Sequence, residues 1–299
     1  MNPPVIIELA VNGMTPKERN RHVPRTPAEI VEVALEGIEL GASIVHNHND
    51  EHLFTDDGVH AAAPYVEAWT EILRHHPEVI LYPTMASGAP DIPIERRWAH
   101  VEELVVRGLT GMSLVDPGSV NIGLTSDGTV TEPWTAGPYA NSYADTSYMF
   151  ARAVALETSP SISIFEPGWL RTTLNWHRNG LMPPKAMVKL YFGGDQLEFG
   201  LPPTEAGLEA YLQMLEPTGL PWSVAVLGGD VVESGLAELA IRRGGHVRVG
   251  LEDHSGPNEP TNAELMSAVV ALIKRLGREP ATPTEAREIL GIAPALTAG

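Results

Sequence analysis

Eight short apolar runs recur along the chain, and a stretch with helical periodicity separates each from the next. The runs fall at residues 5–11, 42–48, 79–82, 110–114, 161–166, 187–192, 222–227 and 246–252. Their length and β-branched content read as strands buried on both faces. The first separator shows how the helices are signalled. Thr26, Pro27 and Glu29 form a capping box with proline at the first helical position, Ile30, Ala34 and Ile38 form the apolar stripe, and Gly41 stops the helix. Further helices are expected at about 61–75, 94–107, 143–157, 169–179, 204–216, 233–243 and 260–276, with a short one opened by Thr282. Strict alternation implies a parallel sheet with helical crossovers. Eight units in 299 residues favour a single (β/α)8 TIM barrel domain spanning 1–299 over an open doubly wound sheet. No glycine-rich phosphate fingerprint follows the first strand, which also weighs against a dinucleotide fold. Residues 116–140 read as a long irregular stretch.

A barrel of this kind carries its chemistry at the C-terminal ends of its strands. The second run ends in His46-Asn47-His48. Side chains two apart on a strand share a face, so the two imidazoles point together and Asn47 points away. Such a pair is half of a zinc site. There is no cysteine, so the remaining ligands must be His, Asp or Glu. The eighth run ends in Glu252-Asp253-His254, and Glu252 meeting His46 and His48 across the mouth gives His2Glu with an open position. His52 could replace Glu252, although strand geometry fixes only the first two histidines. Other polar residues at or near strand ends are candidates for substrate binding: Thr84, Ser87, Ser113, Ser119, Asn121 and Glu166. Glu8 interrupts an apolar strand, and a carboxylate there must be paired, hydrogen-bonded or protonated. It reads equally as structural or catalytic. His75, His76 and His100 read as solvated helix residues, and Trp134, Trp169 and Trp176 as packing residues.

Composition limits the partners. The net charge of −18 leaves no overall basic field for nucleic acid. The N-terminus lacks the basic start and apolar run of a signal peptide, and no run approaches membrane-spanning length. A soluble cytoplasmic protein is the expectation.

The residues also resemble a family. His46-x-His48, the run Gly244-Gly245-His246-Val247-Arg248-Val249-Gly250-Leu251-Glu252-Asp253, and the segments Thr261-Asn262-Ala263-Glu264-Leu265 and Gly277–Pro283 are similar to the β-keto acid cleavage enzymes. These are zinc-dependent barrels that include 3-keto-5-aminohexanoate cleavage enzymes, and the likeness runs from about Ile6 to Leu290. The resemblance implies a C-acyltransferase that joins a β-keto acid to acetyl-CoA and releases acetoacetate and a new acyl-CoA. It implies zinc held by His46, His48 and Glu252, Asp253 as base with Arg248 as its electrostatic partner, and Thr84 and Ser119 near the substrate carboxylate. Arg248 could instead be a plain ion pair for Glu252 or Asp253. A homo-oligomer, dimer or tetramer, is also implied. Rival readings are an amidohydrolase-like metal-dependent hydrolase, which would need histidines on strands five and six, and a non-catalytic ligand-binding barrel.

The chain departs from the family pattern at several substrate-facing positions. Asp50 and Gly229 stand where the family often has arginines, and Ser161 and Ser163 where it has two glutamates. These changes lead to the expectation of a neutral β-keto acid. Because consecutive strand residues face opposite ways, Asp253 can join the site only if the strand breaks at Glu252.

Overall fold

The computed structural model describes residues 3–52, 55–87, 92–126, 129–133 and 138–293. Its strands are β1 Ile7–Ala10, β2 Ile44–Asn47, β3 Ile80–Pro83, β4 Leu114–Val115, β5 Gly123–Ser126, β6 Thr129–Pro133, β7 Ser161–Ile164, β8 Met187–Gly193, β9 Leu197–Glu198, β10 Trp222–Leu227 and β11 His246–Val249. Eight of them form one parallel sheet in the order β3-β2-β1-β11-β10-β8-β7-β4. The sheet curls into a nearly closed barrel. Between β3 and β4 the seam is bridged instead by the Thr110 hydroxyl, which donates to the Leu81 carbonyl.

The helices outside the barrel start where the sequence signals them. α1 Pro27–Glu39 is opened by Thr26 with a complete capping box. Ile30, Ala34, Gly37 and Ile38 form its buried face. Ten helices in all were identified among the described residues: α2 Ala63–His75, α3 Ile94–Arg97, α4 Ala99–Val106, α5 Tyr143–Ala155, α6 Pro167–Arg178, α7 Glu205–Leu215, α8 Leu236–Arg242, α9 Asn262–Arg275 and α10 Pro283–Leu290 follow α1. Reciprocal capping boxes also open α5, α9 and α10.

Three differences from the sequence reading have local causes. The expected helix at 94–107 is broken into α3 and α4 at Trp98, whose buried indole donates to the Leu114 carbonyl. The expected strand at 110–114 is reduced to Leu114–Val115, because the Thr110 side chain bonds the backbone of Met112 and holds that segment in a turn. The irregular stretch contains a β-hairpin: β5 pairs antiparallel with both β6 and β9 in a small second sheet. Ile122 and Leu124 from this segment reach the cavity at the barrel mouth. Trp134 lies outside the described residues. Trp169 is buried and Trp176 packs against the core, as expected of packing residues.

Candidate active site

His46 is the first fixed point. It pairs in register with Tyr82 of β3, and its Nδ1 lies 3.1 Å from the Tyr82 carbonyl oxygen. Only an N–H can face a carbonyl there, so Nδ1 carries the proton and Nε2 presents a lone pair. Burial lowers the His46 pKa to about 4, so the ring is neutral at ordinary pH. His48 follows just past the strand end, with its ring 5.2 Å from His46 in an edge-to-face arrangement. Asn12 positions it from both sides, accepting from the His48 N–H at 2.8 Å and donating to its carbonyl at 3.0 Å. Asn47 faces the opposite way and accepts from the Trp69 indole, as strand alternation requires.

Glu252 reaches these histidines from the eighth barrel strand. The expected break at Glu252 falls earlier: β11 ends at Val249, and Gly250 turns the chain at a φ of +146°. A Cβ on Gly250 would lie 2.0 Å from the Ala10 carbonyl oxygen, so the position requires glycine. The turn closes with the N–H groups of Asp253 and His254 donating to the Gly250 carbonyl. This turn, unlike a strand, lets Glu252 and Asp253 both approach Arg248. Gly13, at a φ of +51°, leaves room for the Glu252 side chain, which a Cβ there would meet at 2.3 Å.

Glu252 Oε2 stands 3.2 Å from His46 Nε2, and Oε1 stands 3.4 Å from His48 Nε2. Burial pushes the Glu252 carboxyl up, but Arg248 and the two histidines hold it well below the usual carboxylate range. A carboxylate oxygen therefore faces the lone pair of a neutral imidazole, and Glu252 Oε2 and His48 Nε2 have no hydrogen-bond partner. Two acceptors in contact need a cation between them. The potential ligand atoms of His46, His48 and Glu252 all lie within 4.8 Å of one another, and they are the one such group found among the described residues. The donor set fits a divalent ion of the zinc type. His52 is exposed and stands outside the group.

Beneath the three lies a buried ionic network that sequence reasoning only half anticipated. Glu8 accepts from Arg248 Nη1 at 2.9 Å, from Lys189 Nζ at 3.1 Å and from the Tyr82 hydroxyl. Burial opposes ionisation of Glu8, but Lys189 and Arg248 outweigh it and bring its pKa to about 2. Lys189 sits mid-strand in β8 and was missed. Its signal, a charge inside an apolar strand, is the one that exposed Glu8. Arg248 also binds Asp253, with Nε 2.9 Å from Oδ2 and Nη2 2.9 Å from Oδ1. Asp253 is buried, and burial raises its carboxyl despite the opposing pull of Arg248.

Replacing Glu8 with glutamine is expected to cost about 3–5 kcal/mol in denaturant unfolding, because it strands a buried lysine and weakens the hold on Arg248. The pKa of Glu8 is depressed on folding from 4.5 to about 2, so its contribution is complete above 4.5 and is lost as pH falls toward 2. The gap between the wild type and Glu8→Gln should therefore close across that window. A gap that persists at pH 2 would show that the loss has another origin.

A cavity of about 220 Å³ opens above this network, lined by His46, His48, Glu252, Arg248, Lys189 and Thr84 among others. Asp253 lines a second, smaller cavity that shares Arg248 as a wall. The remaining candidates are engaged elsewhere. Ser87 is buried, and its carbonyl accepts from the Thr55 N–H. The Ser113 hydroxyl meets Thr158. Ser119 is exposed and exchanges hydrogen bonds with the Asn141 backbone, and Asn121 is exposed. Glu166 accepts from the Gly200 N–H. His100 is a correction: it is buried, with its ring bonded to the Thr84 carbonyl. At the level of the site β7 and β8 offer Ser163 and Lys189, where an amidohydrolase-like hydrolase would need histidines.

No helix among the described residues is long and apolar enough to cross a membrane. A family model described as beta-keto acid cleavage enzyme matches residues 4–292. The 3-keto-5-aminohexanoate cleavage enzyme of Fusobacterium nucleatum is 30% identical over 296 residues, covering 96% of this chain and 98% of the relative. The 3-oxoadipate:acetyl-CoA acetyltransferase of Cupriavidus necator is 28% identical over 302 residues, covering 98% of this chain and 96% of the relative. In fold, the complex of ObcA with oxaloacetate is similar, with a TM-score of 0.67 at 15% identity over 91% of this chain and 68% of that one.

Proposed function

The chain belongs to the β-keto acid cleavage enzyme family, and from that premise we propose that it transfers acyl groups between a β-keto acid and acetyl-CoA, releasing acetoacetate and a new acyl-CoA. The observation that carries this reading is the cluster of potential ligand atoms on His46, His48 and Glu252, with His48 Nε2 and Glu252 Oε2 unpartnered, beside the Arg248–Asp253 pair. His46, His48 and Glu252 would hold a zinc-type ion, which when bound supplies a Lewis acid able to polarise a ketone oxygen.

The chain's own groups divide the rest of the work. Lys189 and Arg248 line the cavity and attract the carboxylate of the acid. Asp253 takes a proton from the carbon between the two carbonyls. With both its oxygens held by Arg248, it becomes free to do so when the incoming carboxylate competes for that guanidinium. The carbanion then attacks the thioester carbonyl and CoA thiolate leaves. The thiolate attacks the original keto carbon, the bond to the middle carbon breaks, and Asp253 returns the proton as acetoacetate departs. The 1–299 chain works as one barrel domain in a homo-oligomer.

The relatives are named for 3-keto-5-aminohexanoate and for 3-oxoadipate, so family membership leaves the substrate chain open. The test is a panel of β-keto acids with acetyl-CoA, read as acetoacetate release and acyl-CoA formation. Hydrolysis of acetyl-CoA without acyl exchange, or no turnover of any acid, would overturn the reading.

A further inference from the structure

Asp116 lies in the same cavity and has no role in the chemistry above. It follows β4, is 6% exposed, and lines the cavity wall together with Tyr139 and Ser163. The Tyr139 hydroxyl donates to its Oδ2, and the Ser163 hydroxyl stands close by. Its Oδ1 has no hydrogen-bond partner among the described residues. Lys189 and Arg97 act on it only by longer-range attraction, and each is paired elsewhere, Lys189 with Glu8 and Arg97 with Asp145. Burial raises the Asp116 carboxyl, and a buried carboxylate with an unpartnered oxygen and no ion-pair partner is costly to keep ionised unless something bound supplies a counter-charge.

We propose that Asp116 is a specificity-determining residue, and that the substrate is a β-keto acid carrying a cationic nitrogen at the far end of its chain. This rests on the acyl-transfer reading and names its substrate class. The barrel geometry sets the direction. Ser163 on β7 lies three strands from both β2 and β11, Asp116 follows β4 two places from β2 across the seam, and both line the same cavity as His46, His48 and Glu252. An acid bound there by its keto-carboxylate end points its other end at Asp116. Phe165 and Tyr191, stacked at 4.6 Å, stand in the same cavity and offer aromatic faces to a cation.

Charge points the same way. The carboxylates of Glu8, Asp116, Asp230, Glu252 and Asp253 stand against Lys189, Arg248 and Arg19 around the two cavities. A divalent ion would balance that excess. A zwitterionic acid then adds no net charge, whereas a plain acid adds an unpaired negative one. The neutral substrate expected from Ser161 and Ser163 is revised on this ground. The carboxylate absent from those strand positions is supplied by the neighbouring β4.

The experiment compares matched β-keto acids ending in methyl, ammonium or carboxylate, each with acetyl-CoA. The wild type should favour the ammonium acid over the methyl one by tenfold or more in kcat/KM. In Asp116→Asn, or Asp116→Ser should that variant not fold, this ratio should fall at least tenfold. Equal or better use of the methyl or carboxylate acid by the wild type, or an unchanged ratio in the variant, would overturn the inference and leave acyl transfer standing. Failure to turn over any of the three acids would sink acyl transfer and the inference together.

Discussion

Asp253→Asn is expected to lower kcat by about 10²–10⁴ while the bound metal stays at its wild-type level, the loss typical of a missing general base. The substitution is nearly isosteric. The amide oxygen can still accept from Arg248, which keeps its bonds to Glu8 and Glu252. The buried layer should therefore stay in place, and the proposed metal ligands are untouched. What the variant lacks is a group able to take a proton. Asp253 suits that task because burial raises its carboxyl while Arg248 holds it in line. Single-turnover kinetics with the preferred acid, beside metal analysis of the same sample, make the measurement. Near wild-type rates would move the proton transfer to another group. Glu8 would be the first suspect, since its partners Tyr82, Lys189 and Arg248 all line the cavity. Its depressed pKa makes it a poor base, which is why Asp253 is preferred.

The fold was legible because its signals are local. Capping boxes at Thr26 and Thr282 and the apolar runs need no long-range information, and the helices they open formed where they were expected. Residues 110–140 were less legible for the opposite reason. Thr110 is governed by a carbonyl on β3, Trp98 by one on β4, and β5 by its pairing with distant β9. The site shows the same division. His46 and His48 follow from strand alternation alone. That Glu252 meets them depends on β1 pairing with both β2 and β11, which a barrel supplies. Ser113 shows the limit of the rule that strand ends carry function. The sequence placed it near the C-terminal end of the fourth strand, but β4 begins at Leu114, so Ser113 precedes the strand and turns to Thr158 while Leu114 faces the cavity. Asp116 was passed over because the fourth run was read as ending at Leu114; in the structure it directly follows β4, at a C-terminal strand end, and lines the cavity.

His46→Ala and Glu252→Ala should each reduce bound metal from about one ion per chain to a small fraction, and turnover with it. The argument is that the three side chains do not satisfy one another. Nδ1 of His46 is committed to the Tyr82 carbonyl, so its Nε2 cannot donate to Glu252, and the 3.2 Å approach is a contact between acceptors. Removing either partner relieves that repulsion in the metal-free protein. The variants should therefore unfold at or above the melting temperature of metal-stripped wild type, while losing the rise that added metal gives the wild type. This separates loss of the site from loss of the fold, because a structural role alone would lower stability with or without the ion. Glu252→Ala has one further consequence. Arg248 loses its 2.7 Å contact with Glu252 Oε1 but keeps Glu8 and Asp253, so it remains paired and the buried layer survives. Mass spectrometry under native conditions, with melting curves in chelator and in added zinc, makes the comparison. Full metal occupancy in both variants would place the ion elsewhere and remove the basis for reading His46, His48 and Glu252 as its ligands.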